Sequence, residues 1–373
     1  MHSFLFYTLK SAALFVHFIM QNDRFLLYGA NGYTGRLIAN MAAEYGLTPI
    51  LAGRNEEALR SMAEPLNLPY KVFDLSDKEA MHAALKDVPV VLHAAGPFHH
   101  TSKKMIKACL ETKTHYLDIT GEITVFEKAK KYDAEAKDAG IMIMPGVGFD
   151  VVPTDCTALY LKQQLPDATH LKLAFAMLGG KLSHGTATTM AENLGEGGMV
   201  RKDGMLKKKP LGHKGFWLDL GIKKTFVMCI PWGDISTAHT TTGIPNIETY
   251  AGASPKTYSL LKWQFLYNWL LRTSLVRNIA KKKIKQKPAG PTDEMRQQAK
   301  GFVWGEVTNA AGEKKAVRLQ CPEGYTLTAI SSLLITKKVL EGNFKTGYQT
   351  PAGMYGADLV MEIPGVVREA ISF

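Results

Sequence analysis

Cysteine is scarce in this 373-residue chain. The four present, Cys109, Cys156, Cys229 and Cys321, stand far apart, and none forms a C-x-x-C pair. That spacing excludes a disulfide framework and a cysteine zinc site, and it fits reduced thiols in a cytoplasmic compartment. Long hydrophobic runs are scarce too. The one extended apolar stretch, Phe4 to Met20, is interrupted by Lys10 and His17. It is short for a bilayer span and carries a charge near its middle. It also lacks the basic start and small-residue cleavage site of a secretory signal. Three readings of residues 1–20 remain: a membrane anchor, an extra helix, or an upstream start with the working protein beginning at Met20. The run Met20-Gln-Asn-Asp, leading straight into a strand, favours the last. No zinc-finger spacing or other nucleic-acid module occurs. The net charge of +11 therefore points to acidic small ligands or an anionic surface, not to nucleic acid.

What is present is a short apolar strand, Phe25–Tyr28, running into Gly29-Ala30-Asn31-Gly32-Tyr33-Thr34-Gly35 and then an apolar-periodic helix. A chain approaches a dinucleotide pyrophosphate in this way. Gly29 permits the tight turn, Gly32 leaves room for the phosphates, and Gly35 lets helix and strand pack closely. Asn31, Tyr33 and Thr34 fill the loop between them and belong to the same cofactor site. The phosphates meet free N–H groups and the positive end of the helix dipole.

From Arg24 to Pro145, strand and helix signals alternate. Strands are predicted at Thr48–Ala52, Tyr70–Phe73, Pro89–His93, His115–Leu117 and Ile141–Met144. Helices are predicted between them, at Glu56–Ala63, Lys78–Leu85, Lys103–Leu110 and Thr124–Ala139. Crossover spacing makes the sheet parallel and covered on both faces. The rhythm predicts an α/β, Rossmann-type doubly wound sheet over residues 21–152. After Pro153 the rhythm changes to strands without crossovers. This predicts a second α+β domain with a mainly antiparallel sheet over residues 153–345. Helices are expected at Asp155–Gln164 and Leu327–Leu340. Lys281–Pro291 reads as a basic, mobile linker.

Arg54 follows the second strand, where the adenosine ribose lies in this fold. An arginine there suits the 2′-phosphate of NADP, whereas an acid would suit NAD. Asp74, at the end of the third strand, either contacts adenine or caps the next helix, a role open to Ser76 and Asp77 as well. Ala95, Gly96 and Pro97 end the fourth strand and admit the nicotinamide half of the cofactor, with an ordinary Gly-Pro turn as the alternative. No Tyr-x-x-x-Lys pair follows the fifth strand, which argues against short-chain dehydrogenase chemistry. A hydride donor needs a shielded pocket and one general acid. His184, Tyr348 and Asp150 are the candidates, and the sequence does not choose among them. No metal site is expected. Trp263 to Arg272 reads as an aromatic helix followed by lysines. It is suited to a buried contact, an acyl-chain tunnel or an anionic membrane surface.

Five segments then come in order: Gly29 to Gly35, Ala52-Gly53-Arg54, Ala94-Ala95-Gly96-Pro97-Phe98, His115 to Glu122, and Gly148-Phe149-Asp150-Val151-Val152-Pro153-Thr154-Asp155. Together they resemble the saccharopine dehydrogenase-like family, including its trans-acting enoyl reductase branch. The resemblance implies an NADP-binding domain, a middle α+β domain, and a C-terminal segment, 346–373, returning to the first domain. It also implies a homodimer through edge strands of the middle domain. Relatives of saccharopine dehydrogenase reduce C=N bonds of amino-acid adducts. The enoyl reductase branch reduces C=C bonds of hydrophobic acyl precursors, and other relatives lie on lipid droplets with little defined chemistry. The G-x-x-G-x-x-G loop of this chain is in the style of the enoyl reductase branch, which argues against lysine metabolism. The expected protein is an NADP(H)-dependent reductase of a hydrophobic acyl or enoyl compound. A C=N reductase and a weakly catalytic nucleotide-binding protein at membranes are the alternatives.

Overall fold

The computed structural model describes residues 23–371; the apolar N-terminal run and the Met20 start lie outside the described residues. The first sheet has seven strands, all parallel. In chain order the elements are β1 (Arg24–Tyr28), α1 (Tyr33–Met41), β2 (Thr48–Gly53), α2 (Glu56–Leu66), β3 (Tyr70–Val72), α3 (Lys78–Leu85), β4 (Val90–His93), α4 (Phe98–Thr112), β5 (His115–Asp118), α5 (Ile123–Ala129), α6 (Asp133–Ala139) and β6 (Met142–Met144). The spatial order is β3-β2-β1-β4-β5-β6, and a late strand, β15 (Gly347–Tyr348), adds beside β6. This is the doubly wound order, with its reversal between β1 and β4.

Side-chain alternation along β1 shows why both faces are covered. Phe25 and Leu27 enter one buried cluster, and Leu26 and Tyr28 enter the other. The first cluster is completed by a helix from the far end of the chain, α14 (Gly324–Leu340), which packs on α1. That helix is buried on most of its sides, with Thr328, Ser331, Ser332 and Thr336 among its buried residues as well as its apolar ones. Its Leu327 and Leu333 are completely buried.

The helix expected over 124–139 is broken. Lys130–Tyr132 forms a tight 3-10 turn between α5 and α6, and Gly140 ends α6 at φ 73°. Helix α4 begins at Phe98, earlier than the expected Lys103, because Pro97 supplies an extended residue at its start.

The second domain opens with α7 (Val152–Gln164) and β7 (His170–Leu178). It continues with α8 (His184–Glu192), β8 (Gly198–Lys202), β9 (Met205–Lys209), β10 (Gly215–Asp219), β11 (Lys224–Cys229), α9 (Asp234–Thr242) and β12 (Asn246–Gly252). After it come α10 (Pro255–Leu261), α11 (Asn268–Leu271), α12 (Ser274–Lys285), α13 (Asp293–Gln298), β13 (Lys300–Thr308) and β14 (Lys314–Pro322). The sheet runs β10-β11-β12-β7-β13-β14-β16, with β16 at Val367–Ile371 and the β8–β9 hairpin attached to β12. Only the β12–β7 pair is parallel. Helices α7 and α9 seal one face through Ala158, Leu161, Ile235 and Ala238.

Two expectations are corrected here. The segment expected as a linker from Lys281 is helical to Lys285, as the last turn of α12. Four of its five residues there are lysine, a good helix former, with no glycine or proline until beyond it. The aromatic stretch does not form one helix. It is a 3-10 turn at Gln264–Leu266 followed by the single turn α11.

Candidate cofactor and active site

The C-terminal edge of the parallel sheet collects the predicted cofactor residues. Gly29 lies at φ 87°, a conformation that disfavours a side chain, and a Cβ there would meet the Ala94 and Ala95 backbone at 2.8 Å. A Cβ on Gly35 would collide with the Gly29 carbonyl. Gly32 differs. Its φ of −72° and ψ of 167° suit any residue, and the nearest atom to an added Cβ is the Gly29 oxygen at 3.2 Å. The remaining space lies outside the protein, over the start of α1. No side chain caps that helix, so the N–H groups of its first turn face the same space. A pyrophosphate fits this cradle.

Asn31 packs against Gly53 at the end of β2, where an added Cβ would lie 3.1 Å from its Oδ1. The Tyr33 hydroxyl donates to the Pro291 carbonyl at 2.7 Å and accepts from Arg296 Nη1 at 3.0 Å. The second domain therefore rests on the glycine loop through the segment around 290–296. Thr34 sits in the first turn of α1.

Arg54 and Asp74 stand together at the ends of β2 and β3, with 3.6 Å between Nη1 and Oδ2, both largely exposed. Asp74 accepts from the Ser76 N–H and hydroxyl at 2.8 and 2.6 Å, which lowers its pKa, with Arg54 adding to the effect. The cap of α3 is Asp77, which accepts from Ala80 N at 3.0 Å. Asp74 therefore does not cap α3 and instead holds Ser76. Ala95, Gly96 and Pro97 form the turn after β4. The Ala95 carbonyl accepts from Thr101 at 2.9 Å, and the Gly96–Pro97 bond is cis.

The three proton-donor candidates fall in different places. His184 places Nε2 2.6 Å from the Lys287 carbonyl, so its ring anchors the loop that covers Tyr33. Tyr348 lies on β15; its hydroxyl is buried without a partner among the described residues, and burial raises its pKa well above the usual phenol value. Asp150 follows β6 at the carboxyl edge of the parallel sheet. Its carboxylate lies over Gly121, where an added Cβ would come within 2.7 Å of Oδ2. Its carbonyl accepts from the Trp232 indole at 2.9 Å. Loss of water around the carboxyl pushes its pKa up to about 7. Asp150 does not cap α7, whose start has no side-chain cap. Trp232 stacks on Phe175 at 4.8 Å, and Phe175 meets Phe149 edge-on at 6.0 Å. An aromatic wall therefore stands beside Asp150.

Two further acids lie behind this one. Asp155 accepts from Thr241 at 2.7 Å and from Ala352 N at 2.9 Å, and burial raises its pKa to about 6. Asp234 accepts from Thr154 at 2.6 Å, while its other oxygen is buried without a partner among the described residues. The sequence reading missed Trp232 and Asp234, because their approach to Asp150 depends on how the two domains pack. It missed Glu122 as a site residue although Glu122 stood inside a quoted segment. Glu122 accepts from Phe98 N at 2.7 Å and from His99 Nδ1 at 2.6 Å.

A doubly wound parallel sheet with an uncapped glycine cradle, joined to a second, mixed sheet, is the architecture of a two-domain dinucleotide-binding protein of dehydrogenase type. Residues 25–144 match the family model described as the saccharopine dehydrogenase NADP binding domain. The chain is 32% identical over 153 residues to a trans-acting enoyl reductase of Mycobacterium tuberculosis, covering 39% of this chain and 37% of that protein. It is 27% identical over 208 residues to a lipid droplet localized protein of Caenorhabditis elegans, covering 51% and 49%. It is 27% identical over 160 residues to a saccharopine dehydrogenase-like oxidoreductase of Homo sapiens, covering 38% and 37%. The matches thus span half or less of these relatives' lengths. The whole fold resembles apo saccharopine dehydrogenase (L-Glu forming) from Saccharomyces cerevisiae. The TM-score is 0.65 over 94% of this chain and 100% of that one, at 13% identity.

The arginine at the end of β2 generates a prediction. Arg54→Ala should raise KM for NADPH at least about tenfold, the scale of one charge-assisted contact, and leave KM for NADH nearly unchanged. Steady-state kinetics with both cofactors checks this, and equal effects on the two would remove Arg54 from the phosphate.

Proposed function

We propose that this protein is an NADP(H)-dependent oxidoreductase that reduces a C=C bond of a hydrophobic acyl or enoyl substrate in the cleft between its domains. The observation that supports this is the Asp150 carboxyl, its pKa raised to about 7 by burial, beside Phe149, Phe175 and Trp232 at the C-terminal edge of the sheet. Bound NADPH supplies the hydride. Gly29, Gly32 and Gly35 seat its pyrophosphate, Arg54 meets its 2′-phosphate, and the Ala95–Pro97 turn admits its nicotinamide half. The aromatic wall excludes water and accommodates an apolar chain. Asp150 holds the proton that the substrate's second carbon receives, so one hydride and one proton convert C=C to CH–CH. The wall offers no cation for the carboxylates of an amino-acid adduct. The name of the mycobacterial relative supports the same chemistry.

A second observation supports peripheral attachment to an anionic lipid surface. Trp263, Phe265 and Trp269 are 60%, 67% and 67% exposed, and Leu266 and Leu270 stand exposed beside them. Soluble proteins rarely leave so many large apolar groups together in water. Lys262 and Arg272 flank the patch, and α12 carries Lys282, Lys283 and Lys285 in its last turn. Aromatic groups at the acyl boundary with lysines at the headgroups form an interfacial anchor. No helix among the described residues is long and apolar enough to cross a membrane. The relative named as lipid droplet localized supports such an attachment.

Asp150→Asn should lower NADPH oxidation with an enoyl thioester about 100-fold or more and leave NADPH binding intact, as loss of a general acid does. The wild-type rate should fall as pH rises through about 7, where Asp150 loses its proton, and the variant should lack that limb. The sign for stability follows from the same shift. A carboxyl whose pKa is higher folded than unfolded contributes stability below about pH 4, and that contribution is lost as pH rises to about 7. Denaturant titration at pH 8 should therefore find Asp150→Asn more stable than wild type. Removing one negative charge near Asp155 and Asp234 acts in the same direction.

The lipid reading predicts co-sedimentation with phosphatidylserine-containing vesicles at low salt. Trp263→Ser with Trp269→Ser should abolish it without lowering the melting temperature. Equal sedimentation of wild type and variant would reject the patch.

A further inference from the structure

Helix α4 opens with Phe98, His99 and His100 immediately beyond the Pro97 turn, and the last residue of α8, in the other domain, is Glu192. His99 Nε2 lies 3.4 Å from Glu192 Oε2, and His100 Nε2 lies 3.6 Å from the same oxygen. The two imidazoles stand 3.9 Å apart, and the three ligand-capable atoms all lie within 4.8 Å of one another. Zinc bonds to nitrogen and oxygen of about 2.0–2.2 Å put neighbouring tetrahedral ligands about 3.3–3.6 Å apart. The two ion-pair distances match that edge.

Each ligand is held by a group that leaves the right atom available. Glu122 accepts from the N–H groups of Phe98 and His99 at 2.7 and 3.2 Å and takes His99 Nδ1 at 2.6 Å. An ionised carboxylate only accepts, so Nδ1 carries the hydrogen and the lone pair of His99 is on Nε2, facing Glu192. Carboxylate–histidine pairs of this kind orient imidazoles on metals. On the other side, Lys281 Nζ holds Glu192 Oε1 at 2.7 Å. Glu192 Oε2 is buried and accepts no hydrogen bond among the described residues. With neutral imidazoles, Glu122, Glu192 and Lys281 sum to one negative charge around the point where the three atoms converge.

We propose that His99, His100 and Glu192 bind one divalent transition-metal ion of zinc type, which ties α4 of the nucleotide domain to α8 of the second domain. Three protein ligands leave a fourth position for water. The ion replaces the ion pairing that protonated histidines would otherwise need to hold the same two helices together. The site uses none of the residues that seat the cofactor, so its failure would leave the oxidoreductase reading unaffected.

The test uses the full chain stripped with EDTA and titrated calorimetrically with zinc chloride, with magnesium chloride as control. The expected result is one equivalent of zinc and no magnesium. Cobalt should give the intense visible bands of a tetrahedral site, and zinc should raise the melting temperature. His99→Ala with His100→Ala should weaken zinc binding by more than about 100-fold. Glu122→Gln should cost about 10–100-fold, the usual effect of losing a carboxylate behind a metal-bound histidine. His100→Ala alone removes an exposed ligand and keeps the test valid if the double variant fails to fold. Absence of zinc uptake by wild type overturns the proposal, as does uptake of equal affinity by His100→Ala and wild type.

Discussion

The close approach of α1 to the end of β1 underlies everything else in this protein. The Gly29 carbonyl occupies the place of a Gly35 side chain, and the Ala94–Ala95 backbone occupies that of a Gly29 side chain. No larger residue at either glycine lets the helix start so near the strand. That proximity aims the first N–H groups of α1 over the sheet edge and leaves them without a cap. A dianionic ligand stabilises such an arrangement, because it satisfies donors that the protein leaves open.

The nucleotide half was legible because its signals are local. Strand–glycine–helix order, crossover spacing and the position of Arg54 after β2 all reside within short stretches of sequence. The second half was legible only in class. Strands β8, β9 and β10 carry mixed lysine, glycine and aromatic residues, and their pairing depends on β11 and β12. The segment 281–285 shows the limit of composition. Its lysines read as a solvated linker, yet one residue of α12, Lys281, is held by Glu192, and the helix docks along α8.

The site divides in the same way. The glycines and Arg54 announce themselves by spacing. The surroundings of Asp150 do not, because Trp232 and Asp234 arrive from a helix start far along the chain, and only packing brings them near Gly121. Burial is what raises the pKa of all three aspartates above the usual carboxylate range. A carboxylate in water and one behind an aromatic wall are the same letter in the sequence. His184 illustrates the converse: its position before a helix start suggests chemistry, and its ring instead fastens a loop.

The end of the chain is shared between the two halves. Strand β15 extends the parallel sheet beside β6, α15 (Pro351–Tyr355) begins where Ala352 N–H meets Asp155, and β16 then closes the mixed sheet against β14. A single stretch of some two dozen residues thus acts as a suture through both lobes. Neither lobe has a complete hydrophobic interior until this stretch has been made. The nascent amino-terminal half must therefore wait, partly open, for its last seam.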